Sequence, residues 1–281
     1  MASNTTGRDQ LFLQALDPAI CLFRIRRLQS AWYHELFLSG RTAWTDPEPY
    51  LWAACQDMRK WFEDLPDSLT PPIRRKFELE VLYSFVYVLS PSGKVHDVPA
   101  LGQSLVFEYS MEYTEKMQSV LRDMENSAIY TFHDILRVYF VGSRFLDVLY
   151  QNQERLLDGV SFATPFVPPG LLAPLRLANR NPQNLTSRAI QCIDGVIDIL
   201  EAFGHKSGYM MLRDKFGADS KLPLDELHAR QHGLHQPSGG GYRRRTGGEM
   251  ELEAISREVR ENVGTRDVQS TGPRSRSYQG I

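Results

Sequence analysis

The chain has 281 residues, 42% of them hydrophobic and 23% charged, and it balances 32 basic against 34 acidic side chains for a formal net charge of −2. That length is enough for one large domain or two small ones with a real core, and a single body followed by a tail suits the composition best. A near-neutral balance speaks against a protein that grips nucleic acid through a broad basic face, because such a face needs a surplus of Lys and Arg.

The opening residues Met1 to Asp9 are polar and lack the apolar core of a secretory signal, so an intracellular location is expected and the sequons at Asn4 and Asn184 are expected to be idle. Residues 1–16 read as a flexible N-terminus. Asp17-Pro18 then starts a helix: an Asp cap accepts bonds from unpaired first-turn amides, and proline at the first helical position gives up an amide hydrogen that had no partner. Leu22, Ile25, Leu28, Trp32 and Leu36 form its apolar stripe, with Arg24, Arg26, Arg27 and Glu35 mostly off it.

Asp46-Pro47 repeats the start signal, and Leu51, Ala54, Cys55, Met58, Trp61, Phe62 and Leu65 recur at spacings of three and four until Pro66 stops the helix. After a break at Pro71-Pro72, the stretch from about Ile73 to Leu89 is apolar on almost every side beyond Phe77, as expected of a helix enclosed by others. These two helices read as a hairpin at the middle of the core. Past the turn Gly93 to Gly102, a helix from about Gln103 to Glu125 turns Leu105, Tyr109, Met117, Leu121 and Met124 inward.

Ser127 is expected to cap the next helix, which carries Phe132, Ile135, Leu136, Tyr139, Phe140, Phe145, Leu146, Leu149 and Tyr150. Gly142 within it allows close approach of a neighbour, at about 1 kcal/mol of helix propensity relative to alanine. The longest uncharged stretch, Gly159 to Leu175, holds Pro165, Pro168, Pro169 and Pro174, a density no membrane helix tolerates, so it reads as a surface loop. Asn184 or Thr186 opens a helix with Ala189, Ile193, Val196, Ile197, Leu200 and Phe203, and a segment Tyr209 to Phe216 follows. From Gln236 the chain turns to Gly239-Gly240-Gly241, Arg243-Arg244-Arg245 and a Ser/Gly/Arg end, which reads as a disordered tail over 236–281. Within it, 249–263 places Leu252, Ile255, Val259 and Val263 on one narrow stripe, a marginal helix suited to folding on a partner.

Residues that carry chemistry elsewhere have plainer readings here. Cys21, Cys55 and Cys192 lie far apart among aliphatic neighbours and read as small buried hydrophobes in a reducing compartment. His228, His232 and His235 share helical spacing, but Gly233 interrupts them and no fourth ligand follows. Glu63-Asp64-Leu65-Pro66-Asp67 matches the acidic motif of all-helical terpene synthases only on paper. Pro66 ends the helix between Asp64 and Asp67, whereas octahedral magnesium needs carboxylates converging from one face. Asp194, Asp198 and Glu201 form the wet face of an amphipathic helix, and His133-Asp134 lacks the other ligands of a metal hydrolase. No Gly-rich phosphate loop, Gly-x-Ser-x-Gly elbow or Cys/His pairing is present, so no catalytic, cofactor-binding or metal-binding residue is assigned and the chain is not expected to be an enzyme. Arg243-Arg244-Arg245 is a solubilising element, or a weak nuclear address.

Several segments resemble a known family. Phe23-Arg24-Ile25-Arg26-Arg27-Leu28-Gln29, then Trp61-Phe62-Glu63-Asp64-Leu65-Pro66, then Leu82-Tyr83-Ser84-Phe85-Val86-Tyr87-Val88-Leu89-Ser90-Pro91-Ser92 resemble, in order and spacing, the fungal-specific transcription factor domain, the helical middle region of fungal zinc binuclear cluster regulators. Ala189, Cys192, Leu200, Glu201 and Asp214-Lys215-Phe216 resemble its closing segment, with Ala202-Phe203 where the family usually has tryptophan and proline. The resemblance covers about Ile20 to Phe216 and the C-terminal half of that domain. It implies an all-α regulatory body over 17–235, an irregular bundle of about seven to eight helices, acting in the nucleus on transcription through other regulatory proteins, the transcription machinery or a small-molecule effector. The family's zinc cluster needs six thiolates and this chain has three cysteines, so no sequence-specific DNA binding of its own is expected, as in a truncated or accessory regulator. The alternatives are an all-helical enzyme of secondary metabolism, terpene synthase-like, and a plain protein-interaction scaffold.

Overall fold

The structure, a computed structural model, describes residues 7–40, 42–123, 131–157, 182–203 and 210–233. Among the described residues there are seven α-helices and no strand, so the fold is all-α. They are α1 (Gly7–Tyr33), which runs into a π-helical turn (His34–Leu38), α2 (Glu48–Glu63), α3 (Pro71–Val88), α4 (Ala100–Asp123), α5 (Phe132–Leu157), α6 (Pro182–Phe203) and α7 (Met210–Gln231).

Helix α4 occupies the middle, packed against α3, α5 and α6. Leu105, Val106, Phe107, Tyr109, Met111 and Met117 are all buried on it, which a helix touched from three sides requires. Phe107 stacks on Phe145 of α5 with ring centroids 5.1 Å apart, and Tyr109 lies 4.7 Å from Phe85 of α3. Helices α6 and α7 cover α5 on one side, while α1 and α2 pack on α3 at the other. Gly142 is where α5 meets that first pair: a Cβ there would lie 2.7 Å from Phe216 and 2.8 Å from Val196, so the close approach expected of this glycine is present.

The start of α1 differs from expectation. The helix begins at Gly7, so 7–16 is helical rather than part of a flexible N-terminus, and Pro18 lies inside it. Asp17 therefore lies inside the helix and not at its cap, and its carboxylate accepts the Ser68 hydroxyl at 2.8 Å. A side chain expected to cap the helix instead pins it to the turn between α2 and α3. The prolines of that turn also act otherwise than as a break: Pro71 and Pro72 open α3 after an extended Thr70, where a missing amide hydrogen costs nothing. At α2, Pro47 precedes the first helical residue and Asp46 makes no side-chain cap.

Helix α5 is preceded by Thr131, whose amide and hydroxyl both donate to the Asp134 carboxylate at 2.9 and 2.8 Å. Its kink at Asn152 (φ −140°, ψ 23°) has a local cause, since the Asn152 amide donates back to the Val148 carbonyl at 3.2 Å. Helix α7 continues through Pro223 to Gln231, well past Phe216. The expected Ser127 cap, the loop at Gly159 to Leu175, and the tail 236–281 with its helix at 249–263 lie outside the described residues.

Candidate functional site: the groove between α1 and α2

The arginine-rich segment of α1 sends successive side chains in different directions, as the 3.6-residue period demands. Ile25 is fully buried in the core, while Phe23 and Arg27 face outward. Arg26 and Gln29 reach the other way, to α3. There the Glu80 carboxylate, buried in the part of α3 beyond Phe77, accepts from Arg26, from the Gln29 amide at 2.7 Å and from both guanidinium nitrogens of Arg137 at 2.9 and 3.1 Å. Gln29 also donates to the Ser84 hydroxyl at 2.7 Å, which in turn donates to the Glu80 carbonyl. A carboxylate held by two guanidiniums and an amide has its lone pairs occupied. It is therefore a clamp joining α1, α3 and α5 and not a free acid or base. Burial works against the charge on Arg137, but Glu80, with Tyr83, Tyr113 and Asp134 nearby, outweighs it and raises the pKa. The Arg137 guanidinium also sits 4.8 Å from the Tyr83 ring centre.

Arg24 points to a third place, the groove between α1 and the C-terminal half of α2. The Trp61 indole donates to the Cys21 carbonyl at 3.1 Å, which fixes the two helices against each other. Between them opens a cavity of about 300 Å³. Cys21, Leu28, Trp61 and Leu65 make its apolar floor, and the exposed side chains of Arg24, Asp57, Lys60 and Asp64 stand around its mouth. Lys60 lies one helical turn from both Asp57 and Asp64, so the mouth carries alternating charge. The groove is half open to solvent, with an apolar strip along its base and a charged rim.

Nucleophilic chemistry finds little support among the thiols. Burial pushes the Cys55 and Cys192 thiols up to about 12, and it raises Cys21 too, against the opposing pull of Arg24. A thiol that stays protonated at neutral pH is a poor nucleophile. Among the described residues, no three His, Cys, Asp or Glu side chains come together as a metal site. Helix α2 ends at Glu63, Asp64 forms its C-cap, and Asp67 lies in the turn beyond Pro66. Asp194, Asp198 and Glu201 are exposed on α6, where partial burial and then Asp198 raise the pKa of Asp194 while His228 of α7 opposes them. His228 and His232 are exposed, and His235 lies outside the described residues.

Glu80 and Arg137 escape a reading of the sequence for sites, although one signal was there. A glutamate one turn from both Phe77 and Ser84, in a helix otherwise enclosed by apolar side chains, has to find a cation. Its partners are 54 and 57 residues away along the chain, beyond the reach of any local pattern. No helix among the described residues is long and apolar enough to cross a membrane. Compared with known protein families, curated proteins and solved structures, the chain matches none of them.

Proposed function

We propose that this chain is a regulator of the transcription factor type, working in the nucleus through contacts with other regulatory proteins and a small effector. The reading comes from the resemblance to the fungal-specific transcription factor domain. The observation that supports it best is the meeting of two separate stretches of that resemblance. Phe23–Gln29 supplies Arg24 and Leu28, and Trp61–Pro66 supplies Trp61 and Leu65, to one groove between α1 and α2. The Glu80 clamp then links the same arginine-rich segment to α3 and α5, so a ligand that shifts α1 acts on the rest of the bundle. The three cysteines of these 281 residues are too few for a six-thiolate zinc cluster, so the part proposed for this stretch is contact with other proteins and an effector and not the reading of DNA.

Tethering tests the proposal. The chain is fused to an unrelated DNA-binding module and placed upstream of a reporter gene; reporter output is expected to change, and Trp61→Ala at the groove floor is expected to alter that change. An unaltered reporter, with the fusion present in the nucleus, would refute the regulatory reading. So would magnesium-dependent turnover of an isoprenoid diphosphate that is abolished by Asp64→Ala, which would establish an enzyme instead.

A further inference from the structure

Helix α1 carries apolar side chains on the side away from the core. Leu16 is 40% exposed, Ile20 45% and Phe23 70%, and their spacing of four and three puts them on one stripe opposite buried Cys21 and Ile25. Arg24 and Arg27 stand one turn beyond Ile20 and Phe23 and are exposed. Single exposed hydrophobes are ordinary, but a helical stripe of three ending in two cations is the outline of a contact surface for an amphipathic, acidic helix.

The chain contains such a segment. Over 249–263, Leu252, Ile255, Val259 and Val263 recur at spacings of three and four, among five glutamates and two arginines. By its sequence this stretch reads as a marginal helix suited to folding on a partner surface. Residues 234–248 connect it to the end of α7, and at about 3.4 Å per residue they can reach roughly 50 Å. A domain of about 200 residues has a radius of gyration of roughly 16 Å, so that reach spans the body.

We infer that the α1 stripe of Leu16, Ile20 and Phe23 is the docking face for the chain's own 249–263 segment, whose glutamates meet Arg24 and Arg27. Charge complementarity selects this occupant over a second copy of α1, which would bring the same arginines to the contact. Tethering favours it further, because a linker of this length holds the segment at an effective concentration near the millimolar range. The contact lies beside the groove, since Arg24 belongs to both. Docking of the tail and occupation of the groove are therefore coupled through one side chain. The inference does not depend on the regulatory reading; it rests on the stripe, the charges and the tether.

Hydrogen exchange on the full chain tests it. The double substitution Leu252→Asp/Ile255→Asp, in the tail, is expected to speed amide exchange over 16–27 by about tenfold, and Phe23→Glu, at an exposed site that leaves the core intact, is expected to do the same over 249–263. The protection is expected to be unchanged when the protein is diluted a hundredfold. Exchange over 16–27 that ignores the tail substitutions overturns the inference. Protection that disappears on dilution, in step with a dimer seen by light scattering, also overturns it, by assigning the stripe to a contact between copies.

Discussion

The indole N–H of Trp61 donates to the backbone carbonyl of Cys21 at 3.1 Å, so a side chain near the end of α2 is bonded to the backbone of α1. The same ring meets Phe77 of α3 edge-on at 5.3 Å, which makes Trp61 the point where three helices touch. Replacing Trp61 with Phe keeps most of the packing and removes the bond, at an expected cost of about 1–2 kcal/mol. Replacing it with Ala removes both and opens the groove floor, for about 3–5 kcal/mol. Urea titration separates the two. Equal losses would mean that the hydrogen bond, and not the packing, holds these helices together.

Glu80 gives a prediction about unequal partners. Glu80→Gln leaves Arg26 and Arg137 facing a neutral amide, and breaking a buried ionic centre in this way is expected to cost about 3–5 kcal/mol. The Arg26 side chain is 45% exposed and that of Arg137 22%. Water already compensates much of the first, so Arg26→Ala is expected to cost about 1 kcal/mol or less, and Arg137→Ala distinctly more. Chemical denaturation of the three variants checks the order Glu80, Arg137, Arg26.

Glycines supply a contrast in sign. A Cβ at Gly142 would meet Phe216 at 2.7 Å and Val196 at 2.8 Å, both in the core, while at Gly217 nothing lies within 4 Å. Gly142→Ala is therefore expected to destabilise by about 1–3 kcal/mol despite its better helix propensity. Gly217→Ala, in the middle of α7, is expected to stabilise by up to about 1 kcal/mol. Thermal melts of the two variants should move in opposite directions.

Glu112 carries a pH dependence. Burial raises its carboxyl pKa, Lys116 opposes the shift, and Glu78 and Glu115 add to it. An acid with a raised folded pKa binds its proton more tightly in the native state, so its contribution to stability falls as pH rises from the unfolded value, about 4.3, through the folded one. Glu112→Gln is expected to be more stable than the parent at neutral pH and equal to it below about pH 4. Melting curves across that interval test the sign, and a variant less stable than the parent at pH 7 would show that the Lys116 contact at 3.7 Å outweighs burial.

The cysteines predict silence. With Cys55 and Cys192 buried and pushed up to about 12, a thiol reagent at pH 8 is expected to label these two in the native protein only at the rate of opening, and in denatured protein at once. Rapid native labelling of Cys55 would contradict its burial.

Local pattern determined the helical class and much of the core of this protein. Spacings of three and four marked Leu51, Cys55, Met58 and Trp61 as one buried face, and they are buried; the glycine of Tyr139–Ser143 was legible as a close approach because only packing explains it there. Helix ends were less legible. Asp17 reads as a cap from its neighbours alone, yet its carboxylate is taken by Ser68, and the helix runs back to Gly7. The groove and the Glu80 clamp were decided by tertiary structure only. Each is assembled from helices far apart in the chain, and periodicity says which side of a helix is covered without saying which side chain covers it. A buried carboxylate announces that it needs a cation; which arginine answers depends on how α1 and α5 lie against α3.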